Sequence, residues 1–246
     1  MDAGTIIVIG LLFALAAALY SSVGHGGASA YLATMALFGL APETMRPTAL
    51  ALNLVVSSLA AFRYVSRGRF NPRLFLAFAA TAMPCAFLGG RIDLPTEIYR
   101  PVVGILLWAA AARLLWQPKA LAEHVVQAPA LPITLPTGAL LGLLAGLTGT
   151  GGGIFLSPLI ILFHWEEPRR TSGIAAAFIF VNSAAGLVGN LSSVSGLPPA
   201  LPWWIVAVVA GAVLGTWLGV DRLPRPRLLQ ALGLVLTVAG VKLVFA

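Results

Sequence analysis

The chain has 246 residues, 59% hydrophobic and only 9% charged, with a formal net charge of +7. A soluble domain carries about 25% charged residues, so a water-soluble globular protein is excluded. Several segments approach the ~20 apolar residues of a spanning helix, and no ~10-residue alternating strands appear. The expected fold class is an all-α integral membrane protein lying in a lipid bilayer. Its arginines cluster beside apolar spans, which points to membrane topology rather than to nucleic acid. The single Cys85 excludes internal disulfides and metal sites built on cysteine pairs.

The first apolar run, residues 5–20, makes a helix of about 24 Å, shorter than the ~30 Å bilayer core. It lacks a preceding Lys or Arg and is read as retained rather than cleaved. The stretch Ser21-Ser22-Val23-Gly24-His25-Gly26-Gly27 breaks it, and a shorter apolar run from Ala28 to Leu40 follows. After the turn Ala41-Pro42-Glu43 come a span from Met45 to Phe62, a loop with Arg63, Arg67, Arg69 and Arg73, and a span from Leu74 to Gly90. A turn with Arg91, Asp93 and Pro95 then leads to a span ending near Trp116.

Residues 117–131 form a polar, proline-marked linker. The order of events then repeats. An apolar run from Ile133 to Leu147 meets a second break, Gly146-Leu147-Thr148-Gly149-Thr150-Gly151-Gly152-Gly153, and a short run ends at Phe163. The turn Trp165-Glu166-Glu167-Pro168-Arg169-Arg170 precedes spans near 172–190, 202–220 and 228–245. Gly24 with Gly149, Gly26 with Gly151 and Gly27 with Gly152 all lie 125 residues apart. The expected organisation is a membrane repeat over 1–116, a cytoplasmic linker over 117–131 and a second repeat over 132–246, acting as one transport unit. Each repeat holds a short broken helix pair and about three transmembrane helices.

Charge assigns the orientation. The Arg63–Arg73 loop is basic and placed in the cytoplasm, whereas its counterpart from Leu191 to Leu201 carries no charge. The bias reverses at the next turn, where Asp221, Arg222, Arg225 and Arg227 are net positive. Opposite bias at equivalent loops is the mark of inverted-topology repeats, with both termini outside. Trp116 and the pair Trp203-Trp204 read as interface anchors, and a contact between subunits of a homo-oligomer is left open.

Paired glycine interruptions in two halves of a membrane protein point to a binding site. Irregular backbone at membrane depth is tolerated where protein buries it or where it lines a cavity. The helices beginning after Gly27 and Gly153 offer unpaired N–H groups and positive dipole ends, a ready anion receptor. Ser21, Ser22, Thr148 and Thr150 add hydroxyls, and Asn53 and Asn182 are costly polar groups in mid-span. The candidate substrate-binding set is therefore Ser21, Ser22, Gly24, His25, Gly26, Gly27, Asn53, Thr148, Gly149, Thr150, Gly151, Gly152, Gly153 and Asn182. For any single glycine, close helix packing is the simpler reading; the recurrence in both halves favours a site. His25 is the sole ionisable group within either break and a candidate for proton coupling. Arg46, Arg169 and Arg170 read as interface anchors. No carboxylate lies in mid-span, so no metal, cofactor or catalytic group is expected. That weighs against the rival reading, an intramembrane enzyme such as a lipid-pyrophosphate phosphatase. An anion channel is the other rival, separable by whether flux saturates.

The two breaks, the proline-containing turns after the short runs, and the span ends Leu88-Gly89-Gly90 and Leu214-Gly215 resemble the TauE/SafE family of bacterial sulfite and organosulfonate exporters. The family pattern is Gly-x-Gly-Gly-Gly. The second break matches it at Gly149, Gly151, Gly152 and Gly153, whereas the first has His25 inside it and Ala28 in place of the last glycine. The resemblance implies a multi-pass protein of the bacterial cytoplasmic (inner) membrane. It would export a small sulfur-containing anion, sulfite or an organosulfonate such as sulfoacetate.

Overall fold

A computed structural model describes residues 1–115, 126–191, 196–221, 236–238 and 240–245. Trp116, residues 117–125 of the linker, the turn from Arg222 to Arg227 and most of the last span therefore lie outside the described residues. Nine helices are labelled here: α1 (Ala3–Ser21), α2 (Ala28–Leu37), α3 (Pro42–Ser66), α4 (Pro72–Arg91), α5 (Thr96–Leu115), α6 (Leu131–Thr148), α7 (Gly153–Leu162), α8 (Pro168–Gly189) and α9 (Leu201–Asp221). Residues 236–238 and 240–245 are also helical, and no strand occurs among the described residues. The protein is an all-α, multi-pass integral membrane protein, with α1, α3, α4, α6 and α8 each long and apolar enough to cross a bilayer.

Local chemistry sets the helix ends. Pro42, Pro72 and Pro168 open α3, α4 and α8, where the missing N–H costs nothing and the fixed φ suits the first turn. Asp2 caps α1, accepting from the backbone and hydroxyl of Thr5, and those bonds hold its carboxyl below the usual range. With this cap α1 starts at Ala3 and reaches Ser21, 19 residues or about 28 Å. The first member of each broken pair is therefore long, and only α2 and α7, 10 residues each, are short.

The helices pair across the halves. α1 lies along α9, α6 lies along α4, and α3 crosses α8 at the centre. Small residues allow the close approach. Gly138, Gly142 and Gly146 of α6 face the carbonyls of Phe78, Ala82 and Ala86 on α4, while Gly211 and Gly215 of α9 face those of Ala14 and Ala18 on α1. The spacing of four places each set on one helix face.

α3 and α8 run antiparallel. Gly173, at the start of α8, packs on Arg69 and Tyr64 just beyond and within the end of α3. The Asn71 amide donates to Glu166, tying the α3–α4 loop to the α7–α8 turn. Arg63, Arg67, Arg69, Arg73, Arg169 and Arg170 consequently share one end of the molecule.

Candidate functional site

Both breaks close on the central α3·α8 pair. A Cβ on Gly26 would lie 2.9 Å from Asn53 Cγ and 3.2 Å from Ile179 Cγ2, and one on Gly151 would lie 2.7 Å from Asn53 Nδ2 and 2.9 Å from Ile179 Cγ2. The glycines are needed because the backbone touches these side chains directly. Gly151 also has φ +74°, as do Gly24, Gly27, Gly149 and Gly152 with comparable positive values, a region that carries a steric penalty for other residues. Asn53 is thus wedged between the breaks, fully buried, and its Nδ2 donates to Thr150 O at 3.3 Å.

The contacts also set the correspondence between halves. Gly24 packs on the backbone of Ser172 and Gly149 on that of Arg46. The equivalent of Asn53 by these contacts is Ile179, not Asn182. Near the crossing, one half therefore presents an amide and the other a hydrocarbon.

The break carbonyls are well satisfied. All four tyrosines of the chain serve this region. Tyr31 donates to Gly26 O at 2.8 Å, Tyr64 to Ser22 O at 3.1 Å and Tyr99 to Thr148 O at 3.2 Å, and Tyr20 shares a 2.7 Å bond with Ser29 Oγ. The amides are not. Among the described residues the backbone N–H groups of Gly26, Gly27, Ala28 and Ser29, and of Thr150, Gly151, Gly152, Gly153 and Ile154, donate no hydrogen bond within the protein. An unmet buried donor costs about 1–3 kcal/mol. These donors sit at the starts of α2 and α7, where the helix dipoles add positive potential. Asn53 Oδ1, both amide atoms of Asn182 and Ser183 Oγ are likewise buried without a partner.

The remaining candidates divide. Ser21 Oγ donates to Ala212 O and Ser22 Oγ to Leu19 O, so both hydroxyls hold backbone. Thr148 Oγ1 donates to Leu144 O and lies 3.1 Å from Thr150 Oγ1. Gly152 packs against Phe178 and Gly153 against Ile179. His25 is half-buried, its Nδ1 is 3.0 Å from Val23 O, and its ring meets Tyr20 edge-on. Asn182 is fully buried on α8, one turn from Ile179. Arg46 departs from the expected interface anchor: its guanidinium is buried and caps α4, donating to Gly89, Gly90 and Ile92 carbonyls. Sequence reasoning passed over Ile179, Ser183 and the tyrosines as site elements. The clue for the tyrosines was four phenol groups lying at or beside apolar segments, since a buried hydroxyl seeks an acceptor.

Among the described residues no cluster of His, Cys, Asp or Glu suits a metal. Two broken helices meet at the α3·α8 crossing of this helical membrane protein, with unbonded amides and neutral polar side chains beside them. The chain matches the family described as Sulfite exporter TauE/SafE over residues 9–243 and belongs to it. It is 38% identical to the probable membrane transporter protein y4hK of Sinorhizobium fredii, covering 97% of this chain and 98% of that protein. It is 25% identical to the probable membrane transporter protein YjnA of Bacillus subtilis, covering 98% and 99%. No solved structure matches. The protein is a membrane transporter, not an enzyme.

Proposed function

We propose that the chain is a secondary transporter that exports a small sulfur oxyanion, sulfite or an organosulfonate, across the cytoplasmic membrane by alternating access. The observation that carries this is the set of unbonded amides at the starts of α2 and α7, both beside Asn53 and Ile179. Amides donate and do not accept, so they favour an oxyanion over a cation. The family description, which names sulfite export, supports the sulfur anion.

The halves 1–116 and 132–246 are read as inverted repeats, supported by the antiparallel α3 and α8 and the exchanged pairing of α1 with α9 and α6 with α4. Because those pairs join helices from different halves, the moving bodies are α1·α9 and α4·α6 rather than the halves themselves. Glycine-mediated contact stiffens each pair, and the crossing between Asn53 and Ile179 lies where they part. The shared arginine end faces the cytoplasm.

Efflux of sulfite from proteoliposomes containing the full chain tests the reading. Saturable flux supports a transporter, linear flux supports a channel, and no flux above protein-free vesicles rejects sulfite as substrate.

A further inference from the structure

The two breaks reach opposite ends of the molecule. At the arginine end, Tyr64 donates to Ser22 O at 3.1 Å and Gly24 packs on the backbone of Ser172. The first break therefore comes within a helical turn of Arg63, Arg67 and Arg170 along the chain. At the other end, a pocket of about 490 Å³ adjoins the second break. Its wall residue Tyr99 donates to Thr148 O at 3.2 Å. A Cβ on Gly149 would lie 3.0 Å from the carbonyl of Arg46, another wall residue.

Accessible charge differs in sign between these ends. Arg67, Arg73, Arg169 and Arg170 are exposed, whereas Arg63 donates to Val213 O and Thr216 Oγ1 on α9. Of the two carboxylates in the α7–α8 turn, Glu166 is buried and accepts from Asn71 Nδ2 and Glu167 N. Only Glu167 of that turn offers exposed negative charge. The pocket reverses the balance. Glu43 and Asp93 are the exposed charged groups on its wall. Arg46 is 5% exposed, with its terminal nitrogens on the carbonyls that end α4 and its Nε buried. Arg91 and Arg100 lie at the same end but outside the pocket lining.

We infer that Glu43 and Asp93 set a low affinity for the transported anion at the pocket, opposite an arginine end that gathers it. An anion released from the second break enters a space whose accessible charges are negative. One approaching the pocket from solvent is repelled by the same two carboxylates. At the other end, four exposed guanidinium groups raise the local concentration of anions. Neither effect needs contact with the ligand, because charge acts over several ångströms. Fixed charges do no net work over a transport cycle. They lower the half-saturating concentration on the arginine side and raise it on the pocket side, which favours release over recapture and suits export. This assignment rests on the oxyanion reading above.

The test reads local charge and transport separately. The full chain with Cys85→Ser receives one thiol at a time, Thr96→Cys at the pocket or Ser66→Cys at the arginine end. In neutral detergent, each thiol reacts with a cationic and an anionic methanethiosulfonate, and the rate ratio is normalised to that of a free thiol. The cationic reagent is expected to be favoured by about 10-fold at Thr96→Cys, and the anionic one by a similar factor at Ser66→Cys. Both preferences should fade at about 1 M salt, where the screening length is ~3 Å. Glu43→Gln with Asp93→Asn should abolish the preference at Thr96→Cys and spare that at Ser66→Cys. Sulfite flux is then measured in right-side-out and inverted vesicles. The double variant should lower the half-saturating concentration on the pocket side several-fold and leave the arginine side unchanged, whereas a merely structural role would alter both sides alike. No cationic preference at Thr96→Cys overturns the proposal. So does an unchanged pocket-side value once that preference has been removed. If sulfite is not carried at all, the sulfite reading falls, and the same comparison of sides with ethanesulfonate decides the role of the two carboxylates.

Discussion

The two breaks solve one problem with different chemistry. The first is held by side chains: Tyr31 on Gly26 O, Tyr64 on Ser22 O, and a Tyr20–Ser29 bond across the gap. The second relies on backbone, with Gly149, Gly151 and Gly152 all at positive φ, and the side chains that donate to its carbonyls, Asn53 and Tyr99, come from the other half. The first break is thus fixed largely within its own half, while the second depends on how the halves dock. The second is the one positioned to change when α1·α9 and α4·α6 move.

The sharpest way to break the comparison is Gly151→Ala. A methyl there meets Asn53 and Ile179 at positive φ, and overpacking with backbone strain is expected to cost about 2–5 kcal/mol and abolish transport. Gly39→Ala is the control, since φ is +72° but nothing lies within 4 Å. It should cost about 1–2 kcal/mol and leave efflux intact. Thermal unfolding and vesicle efflux read both.

Asn53→Ile is expected to weaken substrate affinity by roughly 10- to 100-fold. Adding Ile179→Asn should restore part of it, because both positions lie against Gly26 and Gly151. No recovery in the double variant would show that the crossing is functionally one-sided. His25 sharpens the contrast differently, because the second break has Thr150 in its place. His25→Ala is expected to flatten the dependence of efflux on pH. An unchanged profile removes His25 from proton coupling. The smallest effects belong to Tyr31→Phe and Tyr99→Phe, each worth about 1 kcal/mol of stability. Tyr99→Phe should also alter transport rate, because its bond joins two halves. Tyr31→Phe should not.

Much of this was legible in the residues. Apolar runs without mid-span carboxylates gave the helical membrane class, and glycine clusters 125 residues apart marked both breaks. Asn53 stood out because an amide in a mid-span is costly without a partner. Arg46 was misread, because a long cation near a helix start looks the same whether it snorkels or caps a neighbour. The α4 carbonyls that hold it lie 43 to 46 residues away. Asn182 stood out in the same way, but the side chain that meets Gly26 and Gly151 from α8 is Ile179, an apolar residue that nothing in the sequence marks.

The sequence by itself determined where helices begin, stop and break, because caps, prolines and glycines act within a few residues of backbone. It also determined that the chain lies in a membrane, because hydropathy accumulates along the chain whatever the contacts. Only the tertiary structure decided that α1 rests on α9 and α6 on α4, that all four tyrosines serve the breaks, and that a glycine of each break touches one asparagine. Those facts depend on which surfaces fit at a helix crossing. Such complementarity belongs to pairs of segments far apart in the chain.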